Sequence, residues 1–286
     1  MNGSGAPEAR FYKREGGDAR CELCPHCCLI PDGQTGLCGA RRNAGGTLYA
    51  ESYGRASSLA LDPIEKKPLH HFRPGSRILS MGSYGCNMAC SFCQNSSISQ
   101  ARPETEFVSP ERLTDIAASV PGNLGLAFTY NEPLIGAEYL LDAAPLLKQS
   151  GMKVVLVSNG MICEEPLEAL LPFIDAINID LKAFTPSFYH RMGGDLETVK
   201  RSIARCAESC HTEVTTLIIP GENDGDGETE ALSRWLASIS RDIPLHLSRF
   251  FPRYEMTEKP PTPVSTLARL AEIAGRSLTY VHVGNV

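Results

Sequence analysis

From Arg77 onward, short apolar runs alternate with segments in which apolar residues recur at helical spacing. The runs are rich in Val, Ile and Leu, which is typical of buried parallel strands. Between two of them, Ser109 and Pro110 provide an N-cap and a first-turn proline, and Leu113 and Ala117 then fall on one helical face. Regular alternation of strand and helix predicts a parallel sheet with right-handed crossovers. We predict seven strands, at 77–82, 123–130, 153–159, 176–182, 213–220, 244–250 and 278–283.

Six or seven strand–helix units fit a partial barrel better than a closed eight-fold barrel. The predicted fold is therefore α/β: a partial (β/α)6-type TIM barrel with parallel strands over residues 77–286. Residues 1–76 form a Cys-rich N-terminal segment that is also rich in Gly and Pro, and we expect a subdomain stapled by metal there. The first 20 residues contain no pattern that predicts a helix or a strand. The functional site is expected at the C-terminal ends of the strands.

Composition and charge narrow the class of protein. The 286-residue chain is 42% hydrophobic and 21% charged, which is typical of a folded globular protein. The net charge of −6 argues against a general nucleic-acid binder, which needs a basic surface. No apolar run approaches the roughly 18 residues of a membrane span, and residues 1–20 lack the apolar stretch of a signal peptide. We expect a cytoplasmic protein that binds neither membrane nor nucleic acid.

Eight of the 11 cysteines precede residue 94, in two tight clusters. In a reducing compartment, an odd number of clustered cysteines favours metal ligation over a disulfide framework. Cys86, Cys90 and Cys93 have C-x3-C-x2-C spacing directly after the first predicted strand. Three thiolates suit a [4Fe–4S] cluster, one iron of which would keep an open position. The spacing alone also permits a zinc site completed by a distant histidine, or plain buried cysteines.

With Phe92 at its aromatic position, this spacing resembles the signature of the radical S-adenosylmethionine (SAM) superfamily. The stretches Asp62–Leu69, Cys93–Asn95 and Ile98–Gln100 further resemble the AmmeMemoRadiSam-system radical SAM enzymes, relatives of the glycyl-radical-enzyme activating proteins. The resemblance implies that a [4Fe–4S] cluster reductively cleaves SAM to a 5′-deoxyadenosyl radical, which takes hydrogen from a protein glycine or a small molecule. It also implies a reductant such as flavodoxin or ferredoxin, and Memo-like and Amme-type pathway partners.

Polar residues at the ends of the predicted strands are the candidates for binding SAM. At 130–133 the superfamily usually has Gly-Gly-Glu-Pro, so the resemblance assigns Glu132 to the SAM ammonium group, although Tyr130 and Asn131 replace both glycines. Asp180 and Lys182 share one face of a strand, and the resemblance places Lys182 near the SAM carboxylate. A helix-start Glu-Pro and a buried ion pair are the structural alternatives. The predicted cofactor contacts are Phe92, Asn131, Glu132, Ser158, Asn159, Asp180, Lys182 and His246.

Four cysteines near the N-terminus have C-x2-C-x3-C-x9-C spacing, which also resembles this group: Cys21, Cys24, Cys28 and Cys38. Cys27 is a further thiol where relatives usually have a basic residue. Four thiolates on short loops could close a tetrahedral zinc site, hold an auxiliary iron–sulfur cluster, or remain unliganded. The sequence leaves all three open.

Two other classes of function are compatible with the cysteines. An electron-transfer iron–sulfur protein would use the three-cysteine cluster as a redox centre without SAM chemistry, and a zinc-stapled binding module would use the N-terminal cysteines alone. Electron transfer alone does not require polar residues at the ends of several strands. Those residues therefore favour the radical SAM hypothesis.

Overall fold

The computed structural model describes residues 5–286. The strands of this range, in chain order, are β1 (Tyr12–Glu15), β2 (Asp18–Cys21), β3 (Leu29–Ile30), β4 (Arg41–Ala44), β5 (Thr47–Ala50), β6 (Arg55–Ala56), β7 (Ser58–Pro63), β8 (Arg77–Gly82), β9 (Glu106–Phe107), β10 (Asn123–Phe128), β11 (Lys153–Ser158), β12 (Ala176–Asp180), β13 (His211–Ile218), β14 (Leu245–Arg249) and β15 (Val281–Gly284). The α-helices are α1 (Ser96–Ser99), α2 (Pro110–Ser119), α3 (Ala137–Gln149), α4 (Glu164–Leu170), α5 (Pro186–Arg191), α6 (Leu196–Ser209), α7 (Asp226–Ile239) and α8 (Val264–Ala274). Short 3₁₀ helices cover Ile64–Lys66, Pro133–Gly136 and Leu171–Phe173.

Seven parallel strands and one antiparallel strand form the main sheet. The strand order is β15-β14-β13-β12-β11-β10-β8-β7, with β7 antiparallel to β8. Strands β7 and β15 are the two edges and do not pair with each other, so the barrel is open on that side. Each of the seven parallel strands overlaps one predicted strand, which confirms the α/β partial-barrel prediction.

The connecting helices begin at the signals that the sequence contains. The side chain of Ser109 accepts a hydrogen bond from the Arg112 amide at the start of α2, and Asp195 accepts one from the Thr198 amide at the start of α6. Each of these helices buries an apolar face against the sheet, so the strand ends stay fixed relative to one another. Among residues 5–286, no helix is long and apolar enough to cross a membrane.

The interior of the barrel has an apolar end and a polar end. Ala127, Val155 and Ala176 are in register with one another across three strands and belong to a small buried apolar cluster. Because side chains alternate along a strand, residues two and four positions further on point to the same interior. Those positions carry polar side chains such as Thr129 and Asp180, so the polar part of the interior lies toward the C-terminal ends.

The N-terminal segment is more regular than its composition predicts. Strands β1, β2 and β3 form one small sheet and β4 and β5 form a hairpin, so the expectation that the first 20 residues contain no regular element is wrong for Tyr12–Glu15 and Asp18–Cys21. Gly16 supplies the left-handed backbone of the β1–β2 turn (φ 64°), and Arg20 pairs with Glu15 across it. Residues 1–4 of that prediction lie outside the described range. Strand β7 carries the main sheet across the predicted boundary at residue 76.

A buried ion pair joins the N-terminal segment to the barrel. The Arg41 guanidinium donates to both carboxylate oxygens of Glu138 on α3, at 2.7 and 3.1 Å, and these side chains are 1% and 3% exposed. The amide of Arg10 also donates to Glu138, at 2.7 Å. This bidentate contact fixes the segment that carries Cys21 and Cys38 against the barrel.

Replacing Glu138 with alanine should lower the free energy of unfolding by about 3–5 kcal/mol, because Arg41 would keep a buried charge without a partner. The matched control is Glu168→Ala. Glu168 pairs with Arg205 at the surface, where both side chains are more than a third exposed, so its loss should cost at most about 1 kcal/mol. Urea unfolding of both variants measures the difference, and equal losses would contradict the anchoring role.

Candidate functional site

A cavity of about 680 Å³ lies at the C-terminal ends of the strands. Its wall includes residues from β11 to β15, from the loop after β8, from the loop after β10 and from the segment that precedes β8. This is the edge of the sheet where the sequence predicts the site. All the cysteines of the triad and all eight predicted cofactor contacts line it: Cys86, Cys90, Cys93, Phe92, Asn131, Glu132, Ser158, Asn159, Asp180, Lys182 and His246.

The triad occupies a loop whose shape is fixed by its backbone. The Cys93 amide donates to the Cys90 carbonyl at 3.1 Å, and the Met88 amide donates to Cys86 Sγ at 3.4 Å. Gly85 has a φ of 85°, and a Cβ added there would lie 2.4 Å from the Cys38 carbonyl oxygen. Only glycine fits this position, because the cysteine loop packs directly against the N-terminal segment.

The three thiols of the triad are suited to a cluster in which each thiolate binds a separate iron. Over residues 5–286, no three His, Cys, Asp or Glu side chains converge closely enough to hold one ion. A cubane has different requirements, because each thiolate binds its own iron. Burial raises the pKa of the Cys90 thiol to about 11 and raises that of Cys86 as well. Thiols in such surroundings become thiolates when iron binds them, since the metal supplies the compensating charge.

Tyr130 adopts a backbone conformation that normally requires glycine. Its φ is 73°, in the left-handed region that costs a bulky residue conformational energy. Contacts of the side chain hold it there: the Tyr130 hydroxyl donates to Asp62, and the Lys67 ammonium lies 4.5 Å from the centre of its ring. The chain therefore keeps a glycine-type turn before Glu132 although both glycines of the usual motif are replaced.

Asn131 replaces the second glycine and joins the strand ends to the cysteine loop. Its Oδ1 accepts from the Ser83 amide at 2.9 Å, and its Nδ2 donates to the carbonyls of Tyr84 and Gly85 at 3.2 Å. Both polar atoms of the Asn131 side chain therefore have hydrogen-bond partners within the protein. Asn131 thus acts on the geometry of the loop that carries the triad.

Glu132 is the buried carboxylate at the centre of this network. It is 3% exposed and accepts hydrogen bonds from Ser158 Oγ and the Asn159 amide, both at 2.7 Å, and from the Leu134 amide at 3.0 Å. Burial raises the pKa of Glu132 to about 7, against the opposing effect of those three donors. A carboxylate accepts about four hydrogen bonds, so one acceptor site remains for a cationic group in the cavity.

Asn159 connects Glu132 to the triad. Its Nδ2 donates to Asn87 Oδ1 at 2.9 Å and lies 3.6 Å from Cys86 Sγ. Hydrogen bonds from amides to thiolate sulfurs are among the features that set the potential of an iron–sulfur cluster. Ser158 and Asn159 therefore contact Glu132 on one side and the cysteine loop on the other.

Asp180 and Lys182 form an ion pair at the cavity wall. Lys182 Nζ lies 3.0 Å from Asp180 Oδ2 and 6.0 Å from the ring centre of Phe92. Burial by itself would lower the pKa of Lys182, but the attraction of Asp180 and Cys90 outweighs it and raises the pKa. Lys182 is therefore a fixed positive charge beside the triad. Phe92 is 5% exposed and packs its ring 6.1 Å from that of Phe188.

His246 lines the cavity and contacts a carboxylate that the sequence did not predict. Its Nε2 is 2.6 Å from Oε2 of Glu213, which is fully buried on β13. His70 and His282, from distant parts of the chain, also line the cavity. The polar alternation His211, Glu213, Thr215 along β13 was the available signal for this region.

The N-terminal cysteines form a separate group behind the cysteine loop. Cys21, Cys24, Cys28 and Cys38 line one small cavity of about 10 Å³, with Asn87 between it and the triad. Burial raises the pKa of Cys24 to about 12 and that of Cys38 to about 11. Because no three ligands converge on one point within the described range, the four sulfurs would have to move together to bind an ion. Cys27 is exposed.

Metal analysis of a variant in which Cys86, Cys90 and Cys93 are all alanine should find about one zinc per chain, as expected for four thiolates in a tetrahedral site. Removing the triad first prevents its iron from masking the second group. Iron with sulfide would instead identify an auxiliary cluster, and metal-free protein would show that these four thiols pack without a metal.

A family model now agrees with this geometry. The model described as the radical SAM superfamily matches residues 81–232, which is more than half of the chain and includes the triad, Glu132 and the Asp180–Lys182 pair. The chain belongs to the radical SAM superfamily. Members of this superfamily are enzymes, and their cofactors are a [4Fe–4S] cluster and SAM. The loop that carries the three thiols fits the cluster.

Two known proteins are similar to this chain in sequence. The chain is 38% identical to "Uncharacterized protein MJ0808" of Methanocaldococcus jannaschii over 98% of its own length and 85% of that protein. It is 26% identical to 7-carboxy-7-deazaguanine synthase of Geobacter sulfurreducens over 57% of its length and 70% of that enzyme. The first relative thus matches the N-terminal segment as well as the barrel.

Two solved structures share the fold. A radical SAM methyltransferase from Sphaerobacter thermophilus superimposes with a TM-score of 0.56 at 15% identity, over 74% of this chain and 67% of that one. Streptococcus suis SuiB bound to S-adenosylmethionine gives 0.55 at 14% identity, over 71% of this chain and 48% of SuiB. At these identities the likeness establishes the partial barrel and nothing about the substrate.

Proposed function

We propose that this chain is a radical SAM enzyme of the AmmeMemoRadiSam type, related to the glycyl-radical-enzyme activating proteins. In this proposal it cleaves SAM reductively and takes a hydrogen atom from a protein glycine or a small molecule, yielding methionine and 5′-deoxyadenosine. When bound, a reduced [4Fe–4S] cluster supplies the electron that breaks the sulfur–C5′ bond. The observation that carries the proposal is the single cavity that the triad shares with Glu132 and the Asp180–Lys182 pair.

Different residues of the chain would hold the cluster and SAM. Cys86, Cys90 and Cys93 would hold the cluster through their three thiolates, and three protein ligands would leave the cluster able to bind SAM. Glu132 accepts a hydrogen bond from the ammonium group with its remaining acceptor site. Lys182, whose charge is fixed by its surroundings, attracts the carboxylate. A zwitterionic methionyl group thus meets one negative and one positive side chain across the same cavity.

Two kinds of partner belong to the same proposal. Reductive cleavage needs an electron donor such as flavodoxin or ferredoxin, and the exposed residues Gln94 and Asn95 directly follow Cys93, so the cluster would lie near the surface there. The motifs around residues 62–69 and 93–100 support the AmmeMemoRadiSam assignment, and with it Memo-like and Amme-type proteins as pathway partners.

Anaerobically reconstituted and dithionite-reduced protein should convert SAM to 5′-deoxyadenosine and methionine, measured by liquid chromatography and mass spectrometry. The variant that lacks the three cysteines of the triad is the negative control. Reduced protein that contains its cluster and binds SAM but forms no 5′-deoxyadenosine, even with candidate substrates, would favour an electron-transfer protein instead.

A further inference from the structure

The backbone at Tyr130 forms a strained turn between the end of β10 and Glu132. The Asn131 amide donates to the Thr129 carbonyl at 3.0 Å, which closes a three-residue turn around Tyr130, and the φ of Tyr130 is 73°. A bond of this kind around a residue with positive φ is typical of the rare, strained form of the γ-turn. Glycine adopts a positive φ at little cost, whereas tyrosine does so only at a cost in free energy. The turn therefore depends on contacts that hold it in place.

Two charged residues of the 62–69 stretch hold the side chain of Tyr130. The Tyr130 hydroxyl donates to Asp62 Oδ2 at 2.5 Å, and Lys67 Nζ donates to the same oxygen at 2.7 Å. The Lys67 side chain is 2% exposed, and its ammonium group lies 4.5 Å from the centre of the Tyr130 ring. Burial would raise the pKa of Asp62, but the hydrogen bonds from Lys67 and Tyr130 outweigh it and lower the pKa to about 2. Asp62 is therefore ionised at neutral pH and accepts both bonds.

The backbone of the same turn is bound to the segment that carries the triad. Asn95, two positions after Cys93, donates from its Nδ2 to the Tyr130 carbonyl at 2.8 Å. The Glu132 amide donates to the Gly85 carbonyl, just before the triad, at 3.3 Å. The conformation of the turn thus determines where Glu132 leaves the strand and how its side chain reaches the cavity.

Relaxation of this turn would displace the carboxylate of Glu132. A change of Tyr130 to negative φ redirects the chain two residues before that side chain, whose bonds to Ser158 and to the Asn159 amide require its present position. Molecules with a relaxed turn would lack the acceptor that the proposed function assigns to the SAM ammonium group. The apparent affinity for a ligand falls in proportion to the fraction of the protein in the binding-competent state.

We infer that Asp62 and Lys67 are positioning residues for SAM: acting through the side chain of Tyr130, they keep the turn before Glu132 in its left-handed conformation. The inference rests on the proposed function, since it takes Glu132 as the acceptor for the SAM ammonium group. It gives a role to the charged residues of the 62–69 stretch that does not require them to touch SAM. Lys67 also lines the cavity, so a direct contact with SAM is the alternative that the experiment must separate.

Two variants of Tyr130 separate the backbone from the side chain. Tyr130→Ala and Tyr130→Gly both lose the ring and the hydroxyl, and they differ from each other only in a Cβ that disfavours positive φ. Anaerobic calorimetry of reconstituted protein with oxidised cluster gives the Kd for SAM. Tyr130→Ala should bind SAM about five- to thirtyfold more weakly than Tyr130→Gly, which is the cost of the left-handed conformation expressed as an affinity. Tyr130→Gly should bind SAM nearly as tightly as the wild-type protein, although it lacks every contact of the tyrosine side chain.

A double substitution tests the two charged residues. Asp62→Leu combined with Lys67→Met removes both charges together, so that neither is left buried without its partner. In the chain with Tyr130, this change should weaken SAM binding by about three- to thirtyfold, up to the full cost of the left-handed conformation. Added to Tyr130→Gly, it should leave the Kd of that variant unchanged, because glycine holds the turn without side-chain contacts.

Arg73 provides the matched control for the exchange of alanine and glycine. It also has a positive φ, of 50°, but it is exposed and does not line the cavity. Arg73→Ala and Arg73→Gly should therefore bind SAM equally well. A difference as large as that between the Tyr130 variants would mean that glycine acts through the stability of the whole fold, and the inference would be wrong.

Two other results would overturn the inference alone. Equal affinities of Tyr130→Ala and Tyr130→Gly would show that the backbone conformation does not limit SAM binding. An equally large effect of the Asp62 and Lys67 substitutions in the Tyr130→Gly protein would show that these residues act on SAM directly.

The binding measurement needs no reduction of the cluster, so it separates the inference from the proposed function. Wild-type protein that binds SAM with the expected ranking of variants but forms no 5′-deoxyadenosine would refute the proposed reaction and support the positioning role. Wild-type protein that does not bind SAM would refute both.

Discussion

Replacing Cys86, Cys90 and Cys93 together with alanine should remove the iron of the cluster, its thiolate–iron absorption near roughly 400 nm, and all formation of 5′-deoxyadenosine. The reason is that the three thiols line one cavity, and a cluster held by all three would lose these protein ligands in this variant. Iron content and the visible spectrum of anaerobically reconstituted protein measure the effect.

Cys163→Ala is the matched control for this variant. Cys163 is a half-buried thiol after β11 that does not line the cavity, so the cluster spectrum and the cleavage of SAM should remain. If the triple variant keeps all of its iron, the cluster lies elsewhere and the assignment of the triad is wrong.

Replacing Lys182 with alanine should weaken SAM binding without loss of iron. A charge-assisted hydrogen bond is worth about 1.5–3 kcal/mol, which corresponds to an increase in Kd of about ten- to a hundredfold. The cluster should survive, because Lys182 pairs with Asp180 and ligates nothing. Anaerobic calorimetry of reconstituted protein gives the affinity, with iron analysis in parallel.

Lys153→Ala serves as the comparison for the Lys182 variant. Lys153 also lies in a strand and pairs with a carboxylate, Asp175, at 2.9 Å. It is the first residue of β11, however, and so lies at the N-terminal end of the strands, away from the cavity. Its loss should leave SAM affinity unchanged. An unaltered Kd in Lys182→Ala with full iron content would show that Asp180 and Lys182 are only a structural ion pair, and that the SAM carboxylate binds elsewhere.

The order of elements was readable from the sequence because each strand and helix carries its own local pattern. Strand β8 begins and ends where the apolar run predicts, at Arg77 and Gly82, and the caps Ser109 and Asp195 begin their helices. The sequence did not predict the hairpin of β1 and β2. Strand β1 consists of polar residues and is held by pairing with β2, so it has no alternation of apolar residues that would indicate a strand.

Residues of the candidate site were found where their signal is local. Cys86, Cys90 and Cys93 lie within eight positions of one another, and Asp180 and Lys182 are two apart in an otherwise apolar strand, so spacing and alternation suffice to place them together. Asn131 was predicted to contact the cofactor, and in the structure its side chain is bound to the cysteine loop. Only the three-dimensional arrangement shows that the Asn131 side chain already has hydrogen-bond partners in the protein, whereas the neighbouring Glu132 keeps a free acceptor site.

By itself, the sequence determined the strand–helix alternation, the edge of the sheet that carries chemistry, and the thiol loop, because all three are encoded within a few consecutive residues. The tertiary structure decided the rest. It brought His70 beside His246 and Glu213, which are more than 140 positions further along the chain, and it left Thr215 buried without a partner. Contacts of that kind depend on strand register and on how segments distant in the chain pack together, and no local pattern contains that information.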